Sequence, residues 1–154
     1  MHNTLDAVIK MAIDKETEAY DFYMDLYNTV EDEDAKDTLK YIAQDEIKHK
    51  NFLINCHKGL MCANVLKMDD PIDYKIIEHV QKPDIKKNMK SSEVYLVAAN
   101  RELNAYNFYK NLADSYPAGE VKDLLEKMAN EELKHKEKME YLYANTAFPQ
   151  TAGG

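Results

Sequence analysis

Two short segments carry residue types that chemistry needs: Glu46-Ile47-Lys48-His49 and, 86 positions later, Glu132-Leu133-Lys134-His135. On a helix, residues three apart are neighbours on one face, so a carboxylate and an imidazole at that spacing can reach the same metal ion. One such pair is a weak signal, because chance supplies many in helical proteins. The repeat gives it weight. Sliding the chain by 86 lays Ala12–Lys50 on Ala98–Lys136 without a gap, with 15 of 39 positions identical. Glu16 repeats as Glu102, Glu46 as Glu132 and His49 as His135, and Tyr20, Phe22 and Tyr23 repeat as Tyr106, Phe108 and Tyr109.

Long helices must hold these residues, and the composition agrees. The 154 residues include only four Gly and four Pro, and 31% are charged, which favours helices over a turn-rich β fold. Residues from about 4 to 30 read as a first helix, whose stripe Leu5, Val8, Ala12, Glu16, Ala19, Tyr20, Tyr23 and Tyr27 advances by threes and fours. Glu16 interrupts an otherwise apolar and aromatic stripe. The acidic run Glu31-Asp32-Glu33-Asp34 reads as a turn and the dipole-matched start of a second helix. It lacks the glycine that a calcium loop needs for its sharp turn. The second helix runs to about Gly59, a residue suited to ending it. Its stripe Leu39, Ile42, Glu46, His49, Leu53 and Cys56 is broken by the Glu–His pair.

Residues 60–90, with Pro71 and Pro83, lose the periodicity. They read as a long crossover with a short helix over Tyr74–Val80, flanked by His57 and containing His79, both surface or packing histidines. Such a connection is expected where the chain must travel the length of a bundle. Ser91, Ser92 and Glu93 read as the capped start of a third helix. Its stripe is Val94, Ala98, Glu102, Ala105, Tyr106, Tyr109 and Ala113. A fourth helix runs over about Glu120–Asn145, with Leu125, Met128, Glu132, His135, Met139 and Leu142 inside. The expected fold is all-α, a four-helix bundle made of two repeated helix hairpins (about 4–59 and 91–145) joined by the 60–90 crossover. It forms one domain, 1–147, with a flexible tail over 148–154.

Four carboxylates and two imidazoles are thus expected to point inward at mid-helix. Gathering four carboxylates without cations costs on the order of several kcal/mol per uncompensated charge. Two divalent cations cancel that charge, and oxygen-plus-imidazole ligation suits iron or manganese better than calcium or a structural zinc. Hydrogen-bonded Glu–His pairs explain one occurrence, not two in register with two further glutamates. The net charge of −8 argues against a nucleic-acid partner, and no run of about 18 apolar residues is present to span a membrane. Met1–Asp14 lacks the apolar core and cleavage site of a signal peptide, so a cytoplasmic location is expected. Cys56 and Cys62, with five residues between them, cannot by themselves build a zinc–thiolate or iron–sulfur site. They read as a small buried residue and a free thiol.

The segments Glu16-x-x-Ala19-x-x-x-Tyr23, Glu46-x-x-His49, Glu102-x-x-Ala105-x-x-x-Tyr109 and Glu132-x-x-His135 resemble the rubrerythrin-like branch of the ferritin-like superfamily, across all four helices. The resemblance implies a ferritin-like bundle in which Glu46, His49, Glu132 and His135 ligate two iron ions, with or without a bridging oxygen. Glu16 and Glu102 complete the two shells, and manganese or zinc are alternative occupants. Glu46 and Glu132 are expected to bridge, Glu16 and Glu102 to be terminal or mobile. Tyr23 and Tyr109 match tyrosines that hydrogen-bond ligand carboxylates, whereas Tyr20 and Tyr106 read as core packing. Two departures stand out. Full-length rubrerythrins add a cysteine-rich rubredoxin-like domain that delivers electrons, and this sequence has no Cys-x-x-Cys. They also place an extra glutamate one turn after the third-helix ligand, where this chain has Ala105. The centre is expected to be the plainer four-Glu, two-His form.

The implied activity is that of a non-haem di-iron oxidase or peroxidase that reacts with O2 or H2O2 in oxidative-stress defence, with no catalytic residue beyond the metal ligands. One alternative is a ferroxidase or iron-handling protein with little turnover. Another is a zinc or manganese pair that only braces the bundle. The expected partners are the small oxidant, an external electron donor and a second copy of the chain in a homodimer.

Overall fold

The computed structural model of the protein describes residues 2–58, 66 and 68–148. Among them are four long helices, α1 (His2–Thr29), α2 (Glu33–His57), α3 (Ser91–Asp114) and α4 (Glu120–Ala147), one 3₁₀ turn at Ile77–His79, and no strand. α1 packs on α2 and α3 on α4, giving the two hairpins of an all-α bundle with a long crossover. No described helix is long and apolar enough to cross a membrane.

Local chemistry sets the helix ends. Asp32 caps α2 by accepting from the Ala35 amide at 2.9 Å, and Glu33 and Asp34 place negative charge in the first turn, where the dipole favours it. Ser91 and Ser92 lie inside α3 and do not cap it. The cap falls on Lys90, whose amide donates to Glu93 Oε1 at 3.0 Å. The short helix expected over Tyr74–Val80 contracts to the three-residue 3₁₀ turn. There the amides of Ile76 and Ile77 donate to the Glu140 carboxylate, at 2.7 and 2.9 Å, and not to helix carbonyls. Gly59, expected to end α2, and the tail from residue 149 onward lie outside the described residues.

The core is split into two apolar clusters. One gathers Tyr23, Leu26, Leu39, Ile42, Val94 and Met139 with their neighbours; the other gathers Val8, Ile9, Leu53, Tyr109, Leu124, Leu125 and Met128. Between the two, in sequence and along every helix, fall Glu16, Glu46, His49, Glu102, Glu132 and His135, all buried. A polar layer crosses the bundle at mid-height, insulated above and below.

The crossover lies against α4 and runs in the same direction. Asn130 accepts from the Asp69 amide at 3.2 Å and donates to the Asp69 carbonyl at 2.9 Å, and Glu137 accepts from the Ile72 amide. Lys136, fully buried, holds Asp73 at 2.6 Å, Glu78 at 3.1 Å and Glu140 at 3.1 Å. The acidic group Asp73, Glu78 and Glu140 thus already encloses a cation, the Lys136 ammonium. A buried lysine is tolerable only when paired in this way. Ile77 and Met89 then join the core beside Val94–Ala99, so the first turns of α3 are buried all round.

Cys56 is buried and forms a disulfide, which overturns its reading as a free thiol. α2 ends one residue later, at His57. Cys62 lies outside the described residues.

Candidate metal centre

Each hairpin contributes one half of the polar layer. α1 carries Glu16 and α2 carries Glu46 and His49; α3 carries Glu102 and α4 carries Glu132 and His135. All six sequence-predicted residues meet at one place. Their ligand atoms form two groups, Glu16, Glu46, His49 and Glu132, and Glu46, Glu102, Glu132 and His135, within each of which every atom lies within 4.8 Å of the others. Glu46 and Glu132 belong to both. His49 Nδ1 is 2.9 Å from Glu16, 3.4 Å from Glu46 and 3.7 Å from Glu132. His135 Nδ1 is 3.2 Å from Glu46, 3.5 Å from Glu102 and 3.8 Å from Glu132. The Glu132 carboxylate spans the layer, one oxygen towards each histidine, and the two imidazoles stack with centroids 5.5 Å apart.

Among the described residues, both oxygens of Glu46, both of Glu132, Glu102 Oε2 and His135 Nδ1 are buried without a hydrogen-bond partner. Buried polar atoms are nearly always satisfied, so six orphans converging on one layer demand an occupant. The donor set of carboxylate oxygens and imidazole nitrogens fits a pair of iron or manganese ions.

Electrostatics report the same crowding. Burial, and next the charge of Glu46, pushes the Glu16 carboxyl up from 4.5 to about 7. Burial together with Glu16, Glu46 and Glu102 pushes Glu132 well up. Glu102 goes the other way, to about 2. There burial is outweighed by the charge of His135, to which the hydrogen bond from the Tyr23 hydroxyl at 2.5 Å adds. Both histidines are held well above 6.5 by the surrounding carboxylates in spite of their burial.

The expected tyrosine roles divide. Tyr23 donates to Glu102. Tyr109, its counterpart, aims its hydroxyl at the Ala12 carbonyl, at 3.5 Å, while Glu16 Oε1 lies 2.9 Å from His49 Nδ1. Sequence reasoning missed a second pair altogether. His135 Nε2 lies 2.6 Å from Asp45 and His49 Nε2 lies 3.3 Å from Glu131, so each histidine is backed by a carboxylate of the opposite hairpin. Such a partner fixes the ring so that its other nitrogen faces inward. Positions 45 and 131 are themselves 86 apart, and that was the available signal. Asp45→Asn should lower metal affinity by roughly ten- to a hundredfold, measured by competition against a chromophoric chelator. Unchanged affinity would mean that packing alone orients His135.

Among solved structures, a hypothetical protein from Pyrococcus furiosus is 21% identical with a TM-score of 0.57, over 96% of this chain and 92% of its own. That likeness shows the fold. No curated protein matches. The rubrerythrin family model matches residues 1–56 and 93–150, which takes in nearly all of the four helices and omits the crossover. All six residues that meet between the hairpins lie inside those matched segments, and the chain belongs to the rubrerythrin family.

Proposed function

We propose that the protein is a non-haem di-iron oxidoreductase that reduces H2O2 or O2 in oxidative-stress defence, with Glu16, Glu46, His49, Glu102, Glu132 and His135 as ligands. One observation carries the reading: two four-residue groups share Glu46 and Glu132, and the oxygens of those two carboxylates have no hydrogen-bond partner. Glu46 and Glu132 span both lobes of the centre; Glu16 and Glu102 each serve one. When bound, two iron(II) ions supply one electron each, which with two protons take H2O2 to two molecules of water.

The chain does the rest. The apolar clusters on either side exclude water, which strengthens every charge interaction within the layer. Asp45 and Glu131 keep Nδ1 of each imidazole turned inward. The charge of His135 holds Glu102 ionised, and the hydrogen bond donated by Tyr23 adds to it. Electrons for repeated turnover come from an external donor.

Anaerobic titration with iron(II) should saturate at two per chain, and peroxide should then oxidise both, followed by near-ultraviolet absorbance. Glu46→Ala should abolish both responses. Repeated peroxide consumption with a reductant supports the peroxidase reading. One stoichiometric oxidation by O2 without turnover would assign the protein to iron handling, and saturation at a single metal would sink the dinuclear centre.

A further inference from the structure

The two halves of the centre are not equally enclosed. Tyr23 ties Glu102 down at 2.5 Å, while Tyr109 is spent on a backbone carbonyl and leaves Glu16 with no phenol partner. On that same side a cavity of about 360 Å³ opens between α1 and α3, with Glu16 and Tyr109 in its wall but neither Glu102 nor Tyr23. Ala105 leaves the room, since its side chain is a single methyl. Lys15, Arg101 and Glu18 also line the cavity. Lys15 Nζ sits 4.5 Å from the ring centre of Phe108, and the Arg101 guanidinium 5.8 Å from that of Phe22. Positions 15 and 101 are 86 apart, as are 22 and 108, so the repeat sets a cation of each hairpin over an aromatic ring of the other.

Arg101 is the sequence's only arginine. Among the described residues its guanidinium has no carboxylate within ion-pairing distance, and its contact is the ring of Phe22. Lys15 has one partner, the exposed Glu18, at 3.5 Å, a pairing worth little in water. Two cations that share one solvated carboxylate between them, beside a cavity next to a buried centre, suit an anion.

We infer that this cavity binds a small planar oxyanion, of the size of a simple carboxylate, nitrite or bicarbonate, held by Arg101 and Lys15 against the Glu16 lobe of the centre. The inference rests on the dinuclear reading, because two bound divalent cations cancel the four carboxylates that would otherwise repel an anion. A guanidinium fork matches two coplanar oxygens in a way that a lysine cannot. The phenyl faces of Phe22 and Phe108 hold the two cations in place. A volume of about 360 Å³ is at the small end for ligand cavities, which excludes bulky substrates. Glu16, the terminal carboxylate that no tyrosine restrains, becomes the residue able to swing aside for the incoming ligand.

Zinc-loaded protein tests this without redox chemistry, by calorimetric titration with acetate and, separately, nitrite. Wild type should bind one anion per chain. Arg101→Gln should weaken binding by about tenfold or more, from the loss of charge-assisted hydrogen bonds; Lys15→Gln should weaken it less, by roughly threefold. Ala105→Phe should fill the cavity and abolish binding while two zinc ions per chain remain. Zinc content of the same samples separates the two readings. Wild type with two zinc ions and no anion binding overturns the pocket, as does Arg101→Gln binding acetate as tightly as wild type. Wild type that takes up no zinc pair overturns the dinuclear centre instead, and the pocket with it.

Discussion

Replacing Glu46 and Glu132 together by glutamine should give a protein that holds no metal pair and yet, in chelator, melts higher than the wild type. Both residues are fully buried, and all four of their carboxylate oxygens lack a hydrogen-bond partner. Without metal only the two imidazoles, 3.2–3.8 Å away and outside hydrogen-bond geometry, offset the burial of these carboxyl groups. Neutral amides of the same shape reduce that penalty, and the gain should fall at the lower part of the roughly 1–4 kcal/mol seen when buried ionic groups give way to hydrophobic side chains of similar volume. For a chain of this length that is a rise on the order of 5 °C. Metal reverses the ranking. Free metal at about a thousand times its dissociation constant stabilises the wild type by about 4 kcal/mol, on the order of 10 °C, and the variant by nothing. Scanning calorimetry of both proteins, with chelator and with zinc, reads all four values. If the metal-free variant melts below metal-free wild type, these carboxylates support the fold by themselves and the argument from their missing partners fails.

The metal-free protein should also lose stability as pH rises through neutrality, whereas the metal-loaded protein should gain it. Glu16 titrates near 7 when folded, against 4.5 ordinarily. A raised carboxyl contributes stability that is complete below about 4.5 and is lost as pH climbs through the folded value. Its share is roughly 3 kcal/mol. Glu132, raised well above 4.5, acts in the same direction. So do His49 and His135, raised above 6.5, whose contribution is present below that value and lost above their folded ones. Glu102, lowered to about 2, opposes them only in acid, since its contribution is full above 4.5 and lost as pH falls towards 2. Metal ions compete with protons for these same atoms, so their binding strengthens as pH rises. Denaturant titrations from about pH 5 to about pH 8, with chelator and with zinc, should give diverging curves. Metal-free stability that rose over that interval would contradict the buried placement of Glu16 and Glu132.

Identity within the repeat does not guarantee identity of environment. Lys50 and Lys136 are the same residue at matching positions, yet Lys50 is half-buried and Lys136 fully so. The crossover passes along α4 and not along α2, and supplies Asp73 and Glu78 to only one of them. The disulfide at Cys56 was hidden for a related reason: two cysteines with five residues between them say nothing about whether the helix has already ended.

Helix periodicity is local, with 3.6 residues to a turn whatever surrounds it. Sequence alone therefore determined the four helices, the stripes they bury, and the six residues that interrupt those stripes in register. The 86-residue offset paired them and fixed their symmetry. Tertiary structure decided what lies across the gap between the hairpins. A residue one place before a ligand points about 100° away from it around the helix, so Asp45 and Glu131 face the centre's histidines only once the hairpins have docked. Docking also broke the symmetry, setting Tyr23 on Glu102 while Tyr109 missed Glu16. Periodicity places a side chain on a face of its own helix; what that face meets depends on contacts between segments far apart in the chain, and no local pattern encodes them.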